Sequence, residues 1–89
     1  MNSKERARLR GLASTQETII QVGKGGITPN VIASVDTALS ARELIKGKVL
    51  ESSMLTAREA CEQLAEACHA EPVQTIGTKF VLYRKNEEK

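Results

Sequence analysis

The sequence predicts a small α/β domain: a two-layer sandwich with an N-terminal helix, then a β-α-β-α-β-β series on a mixed four-stranded sheet. Three observations carry that expectation. Apolar residues recur at helical spacing in three stretches that open on cap signals. Short alternating apolar runs fall between and after them. With 89 residues the chain buries only about 60–65% of its unfolded surface, which supports one core and not two. The domain is expected over 1–85, with a charged, frayed tail at 86–89.

Ser3 caps a first helix over roughly residues 4–13, with Leu9, Leu12 and Ala13 as its buried stripe. Arg6 and Arg10 lie four apart on one face, with Arg8 to the side, and Gly11 weakens the later turns. Ser14–Glu17 links to a first strand, Thr18–Val22. Thr28 caps the second helix, about Pro29–Ala41, with Pro29 at the first helical position, where a missing N–H costs nothing. Ile27 and Ile32 are spaced as a hydrophobic staple, and Val31, Ile32, Val35, Ala38 and Leu39 form the apolar stripe.

Leu44–Leu50 reads as a second strand with Ile45, Gly47 and Val49 on one face and Lys46 and Lys48 on the other. Gly47 inside it marks a close contact or a bulge. After a turn at Ser52-Ser53, Thr56 and Glu59 match a capping box. The helix that follows stripes Ala57, Ala60, Cys61, Leu64, Ala65 and Cys68 inward, with Glu62 and Glu66 outside, and Glu71-Pro72 stops it. Val73–Ile76 and Phe80–Tyr83 close the chain as a hairpin around Gly77-Thr78-Lys79.

Composition is that of a globular chain, 40% hydrophobic and 27% charged. The net charge of +2 says little, but its distribution says more. Residues 1–28 carry Lys4, Arg6, Arg8, Arg10 and Lys24 against Glu5 and Glu17; residues 56–71 carry Arg58 against four glutamates. Such polarity suits a nucleic-acid binder. No long apolar run opens the chain, so neither signal peptide nor membrane span is expected. Two cysteines without secretory context point to a reducing, cytoplasmic setting.

The functional candidate is Gly23-Lys24-Gly25-Gly26, between the first strand and the second helix. Glycines admit a ligand close to backbone N–H groups, the helix start carries partial positive charge, and Lys24 adds a full one. Phosphate is the anion such a loop suits. A glycine cluster here also serves as a tight turn and nothing more. Two nucleotide motifs are excluded: Thr18 stands where a P-loop has its first glycine, and Thr28 where a dinucleotide fingerprint has its third. What remains is a G-x-x-G loop of the kind that clamps a nucleic-acid backbone.

Other chemistry is sparse. Cys61 and Cys68 read as buried thiols; metal ligation would need closer pairs with further ligands, so no metal or other cofactor is expected. His69, the only histidine, sits at a helix C-terminus. No nucleophile has an evident base partner, so an enzyme with a small-molecule substrate is not expected. Phe80 and Tyr83 are the only aromatics. A stacking platform is therefore missing, and RNA would be held by its backbone.

Arg10-Gly11-Leu12-Ala13, Val22–Thr28, Glu43-Leu44-Ile45-Lys46 with Lys48-Val49, and Val81-Leu82-Tyr83-Arg84 together resemble the YhbY-like family, stand-alone bacterial versions of the CRM (chloroplast RNA splicing and ribosome maturation) domain. The resemblance spans nearly the whole chain. It implies a fold like the C-terminal domain of translation initiation factor three and association with precursors of the large ribosomal subunit, with ribosomal RNA as partner. It makes Gly23–Gly26 the RNA-contacting loop. Gly47 stands where the family usually has a β-branched residue. Arg6, Arg10, Lys46, Lys48 and Arg84 are candidates for a wider basic surface. The alternative is a protein-interaction module that docks on a partner through its sheet face.

Overall fold

A mixed four-stranded sheet organises the molecule, in the order β1-β2-β4-β3. The computed structural model describes residues 2–85, and the tail expected at 86–89 lies outside the described residues. The elements are α1 (Ser3–Ala13), β1 (Ile20–Val22), α2 (Pro29–Arg42), β2 (Leu44–Val49), α3 (Ala57–Cys68), β3 (Glu71–Ile76) and β4 (Lys79–Tyr83), with a 3-10 turn at Glu51–Ser53. The α/β architecture and element order are those expected from the sequence. Strand β1 runs parallel to β2, as a helical crossover permits, while β2–β4 and β3–β4 are antiparallel.

Helices α2 and α3 cover one face of the sheet. Between them and the strands lies the main core, which includes Val22, Val35, Leu39, Ile45, Leu64, Phe80 and Leu82. All six residues of the α3 stripe are buried. The Thr56–Glu59 capping box forms reciprocally: Thr56 Oγ1 accepts from the Glu59 N–H at 3.1 Å, and Glu59 Oε1 accepts from the Thr56 N–H at 3.0 Å. His69 ends the helix in the left-handed region at φ 55°. On α2, Thr28 is the cap, and Val35 and Leu39 are fully buried while Val31, Ile32 and Ala38 pack at the margin.

Helix α1 lies on the opposite face, so helices cover both sides of the sheet, where the sequence led us to expect a two-layer sandwich. Leu9 and Ala13 pack on Leu44, Val73 and Val81, with Tyr83 at the edge. The expected stripe is narrower than the sequence suggested, because Leu12 is 48% exposed. A lone helix on a sheet face buries one line of residues four apart, and Leu12 points off that line. The cap also differs: Asn2, not Ser3, holds the extended conformation, and its Oδ1 accepts the Glu5 N–H at 2.8 Å.

Strand boundaries shift slightly. Strand β1 starts at Ile20 rather than Thr18, and β3 starts at Glu71, so Glu71-Pro72 opens a strand besides ending a helix. Proline is tolerated there because β3 is an edge strand, and the register slips between Pro72 and Gln74. Strand β2, by contrast, holds regular register through Gly47. Gly47 pairs with Ile20 on one side and Phe80 on the other. A Cβ built there would lie 2.5 Å from Phe80 Cζ and 3.1 Å from Ile20 Cβ. The missing side chain is thus the space occupied by the phenyl ring, and Gly47 marks a close contact rather than a bulge.

Candidate nucleic-acid interface

The glycine loop is built on the last rung of the β1–β2 pair. Val22 pairs with Val49, and the Leu50 N–H donates to the Val22 carbonyl at 2.8 Å, which fixes the strand side of the loop base. Gly23–Gly26 is then a four-residue turn closed by the Gly26 N–H donating to the Gly23 carbonyl at 2.9 Å. Gly25, third in the turn, has φ +95°, and Gly26 follows at +68°. Both need glycine on conformational grounds alone. Gly26 is buried against Leu55, whereas Lys24 and Gly25 are exposed. The Gly26 N–H is spent on the turn and is not available to a ligand. Among the described residues, the exposed Lys24 and Gly25 amides have no protein acceptor.

Cations gather at the same end of the sheet. Lys48 sits one residue before Val49 and pairs with Gln21 of β1. Across the antiparallel ladder its partner is Lys79. The Val49 N–H donates to the Thr78 carbonyl at 2.8 Å, tying the β3–β4 turn to the same end as the loop. Two lysines directly opposite one another repel. Lys46 projects from the same face of β2, and Arg10 of α1 lines a cleft with Lys46 and Lys79. Among the described residues, Lys24, Arg10, Lys46, Lys48 and Lys79 make no ion pair. The α3 carboxylates Glu59, Glu62 and Glu66 belong to the helical layer on the other face; Glu17 is the acid nearest the loop in sequence, and Glu51 lies in the turn after β2.

Lys79, expected in the hairpin turn before a strand at Phe80, is instead the first residue of β4. The usable signal is alternation, since Lys79, Val81 and Tyr83 are in phase. Arg6 and Arg84 fall elsewhere. Arg6 lines a separate groove with Arg58, Glu62 and the β3 edge. Arg84 is a structural clamp. Its Nη1 donates to Asp36 Oδ1 at 2.7 Å and the Cys68 carbonyl at 2.9 Å, and its Nη2 to the Asp36 carbonyl at 3.0 Å and Ser40 Oγ at 2.9 Å. It joins the end of β4 to α2 and to the last turn of α3, with only 20% of its side chain exposed.

Both cysteines are free and buried. Burial, and secondarily the charge of Glu62, pushes the Cys61 thiol up from 9.0 to about 11. Burial also raises Cys68, helped by Asp36 and opposed by Arg84. Raised thiols are poor nucleophiles and poor metal ligands. Among the described residues, no three His, Cys, Asp or Glu side chains group as metal ligands would. No helix among them is long and apolar enough to cross a membrane.

Fold and site together define a small α/β domain with a rigid glycine turn and a cationic sheet end. The chain belongs to the CRS1/YhbY (CRM) domain family, whose model it matches over residues 1–84. It is 39% identical over 88 residues to the "Probable RNA-binding protein YqeI" of Bacillus subtilis, covering 99% of this chain and 92% of that one. Over 88 residues it is 35% identical to an "RNA-binding protein" of Haemophilus influenzae, covering 99% and 89%. The solution structure of the hypothetical protein SAV1595 from Staphylococcus aureus superposes with a TM-score of 0.79 at 39% identity, covering 99% of this chain and 92% of that one.

Proposed function

We propose that this protein binds RNA by its phosphate backbone, as a non-enzymatic factor that associates with precursors of the large ribosomal subunit in the cytoplasm and assists their assembly. One observation carries the binding: Lys48 and Lys79 face each other across the ladder, beside the Lys24 loop, with no carboxylate paired to them among the described residues. Folding gains nothing from that juxtaposition, and a polyanion neutralises it. The family and the names of the relatives support RNA as the polyanion. The ribosomal assignment rests on the family resemblance.

In this reading the Lys24 and Gly25 amides meet phosphate oxygens while Lys24, Lys48, Lys79 and Lys46 neutralise charge. Arg10 extends the surface. Arg6 is peripheral, and Arg84 is left out because its donors are committed. Four neutralised phosphates should make log K fall with log salt by about three, at about 0.7–0.9 per phosphate. A titration of a structured ribosomal RNA fragment against salt tests this, and a flat response would exclude backbone binding. Co-sedimentation with ribosomal particles that survives RNase would favour a protein partner instead.

A further inference from the structure

Between α1 and the sheet lies a cleft of about 290 Å³. Its floor is apolar, made by Ala13, Val81 and the side of Ile76. Its rim is cationic, made by Arg10, Lys46 and Lys79. Ser14 and Gln74 also line it, and Gln74 brings a primary amide, which both donates and accepts. A surface that only neutralises phosphate has no use for the first and last of these features. Ile76 is 63% exposed on an edge strand, where an apolar side chain is a liability unless something covers it.

We propose that this cleft receives one unstacked nucleotide of the bound RNA. The base lies on Val81, Ile76 and Ala13. Its hydrogen-bonding edge meets the Gln74 amide, and its flanking phosphates lie against Arg10, Lys46 and Lys79. Three things on the surface select this occupant over others. The combination of an apolar floor with a rim whose charges are all cationic matches a flat apolar ring carried on a polyanion. The amide supplies the paired donor and acceptor that base edges require. Through Lys79 and the neighbouring Lys48 the rim also continues to the glycine-loop end of the sheet, so one strand of RNA reaches both. The proposal rests on the RNA-binding reading and deepens it: the loop end holds backbone without regard to sequence, and the cleft adds a preference for RNA with a displaced base.

The test is fluorescence anisotropy with two hairpins of the same stem, one fully paired and one carrying a single-nucleotide bulge. The wild type should bind the bulged hairpin about tenfold more tightly, the effect of one well-placed base contact. Ile76→Ala and Gln74→Ala, both at the surface of the β3 edge, should bring the two affinities within about twofold while leaving the paired hairpin unchanged. Equal wild-type affinity for both hairpins overturns the cleft and leaves the backbone reading intact. Binding to neither hairpin overturns both. Retention of the bulge preference in both variants, with melts like the wild type, also overturns the cleft. So does displacement of the bulged hairpin by a poly-glutamate peptide with equal loss on Ile76→Ala, which would make the occupant an acidic protein segment.

Discussion

Replacing Gly47 by alanine should destabilise the protein, although alanine is ordinarily the better residue in a folded chain. The added Cβ would lie 2.5 Å from Phe80 Cζ, 2.8 Å from Cε1 and 3.1 Å from Ile20 Cβ. The phenyl ring has nowhere to go. Phe80 is fully buried among Ile45, Leu64 and Leu82 in the main core. Overpacking of this severity costs about 3 kcal/mol, the upper part of the usual range. Against it, alanine restricts the unfolded chain and returns about 0.5–1 kcal/mol. The net loss is about 2 kcal/mol, which in a chain of this size lowers Tm by roughly 8–16 °C. Phe80→Leu removes the two ring atoms that the Cβ meets, at a cost of about 1–2 kcal/mol by itself. In the double variant the alanine should then add almost no further loss, a coupling of about 2 kcal/mol. Thermal melts of the four proteins provide the cycle. A Gly47→Ala protein that melts with or above the wild type, or strict additivity in the double variant, would refute the packing account.

Three further outcomes follow from the same geometry. Arg84→Ala should lower stability by about 1.5–3 kcal/mol, since a charged donor set is lost, and should leave RNA affinity unchanged; a drop in affinity at equal fold would return Arg84 to the interface. Cys61→Ala with Cys68→Ala should cost on the order of 1 kcal/mol at each site without loss of RNA binding, and mass spectrometry under native conditions should find no bound zinc in the wild type. Because the Cys61 thiol is raised from 9.0 to about 11 in the folded chain, the unfolded chain loses its proton first. Stability is full below pH 9 and declines as pH rises toward about 11, and Cys61→Ala should flatten that decline in urea titrations across this window.

How much of this was legible in the sequence differs from element to element. Helix α3 was fully legible because its determinants are local: a capping box at Thr56–Glu59 and six apolar positions in phase. The α2 start was legible for the same reason, with Thr28 and Pro29 adjacent. Helix α1 was less so. Asn2 and Ser3 compete for one capping role, and which of Leu9, Leu12 and Ala13 meets the sheet depends on the angle of docking. Gly47 could not be explained without knowing that Phe80 lies opposite it in register. The candidate site shows the same division. The loop comes from its glycines ahead of the Thr28-Pro29 helix start, and the facing of Lys46 and Lys48 from strand alternation, and both signals are local. The pairing of Lys79 with Lys48 depends on hairpin register, and the clamp made by Arg84 depends on acceptors on α2 as far as 48 positions away. A charge on a strand end reads as available until its partner is placed.

The measurement closest to the central claim is the RNA affinity of Gly25→Asp beside its thermal melt. Gly25 is exposed at the turn, with φ +95° and only Thr28 Cγ2 within reach of an added Cβ, at 3.3 Å. Strain there should cost about 1 kcal/mol, so the protein stays folded. The carboxylate would stand where phosphate is expected, between the Lys24 amide and the lysines of the sheet end, and affinity should fall about tenfold at moderate salt. Lys24→Ala, measured alongside, should weaken binding more mildly and reduce the salt slope by about one phosphate's worth. If folded Gly25→Asp binds structured RNA as the wild type does, the loop is only a turn and the claim that it contacts the backbone is wrong.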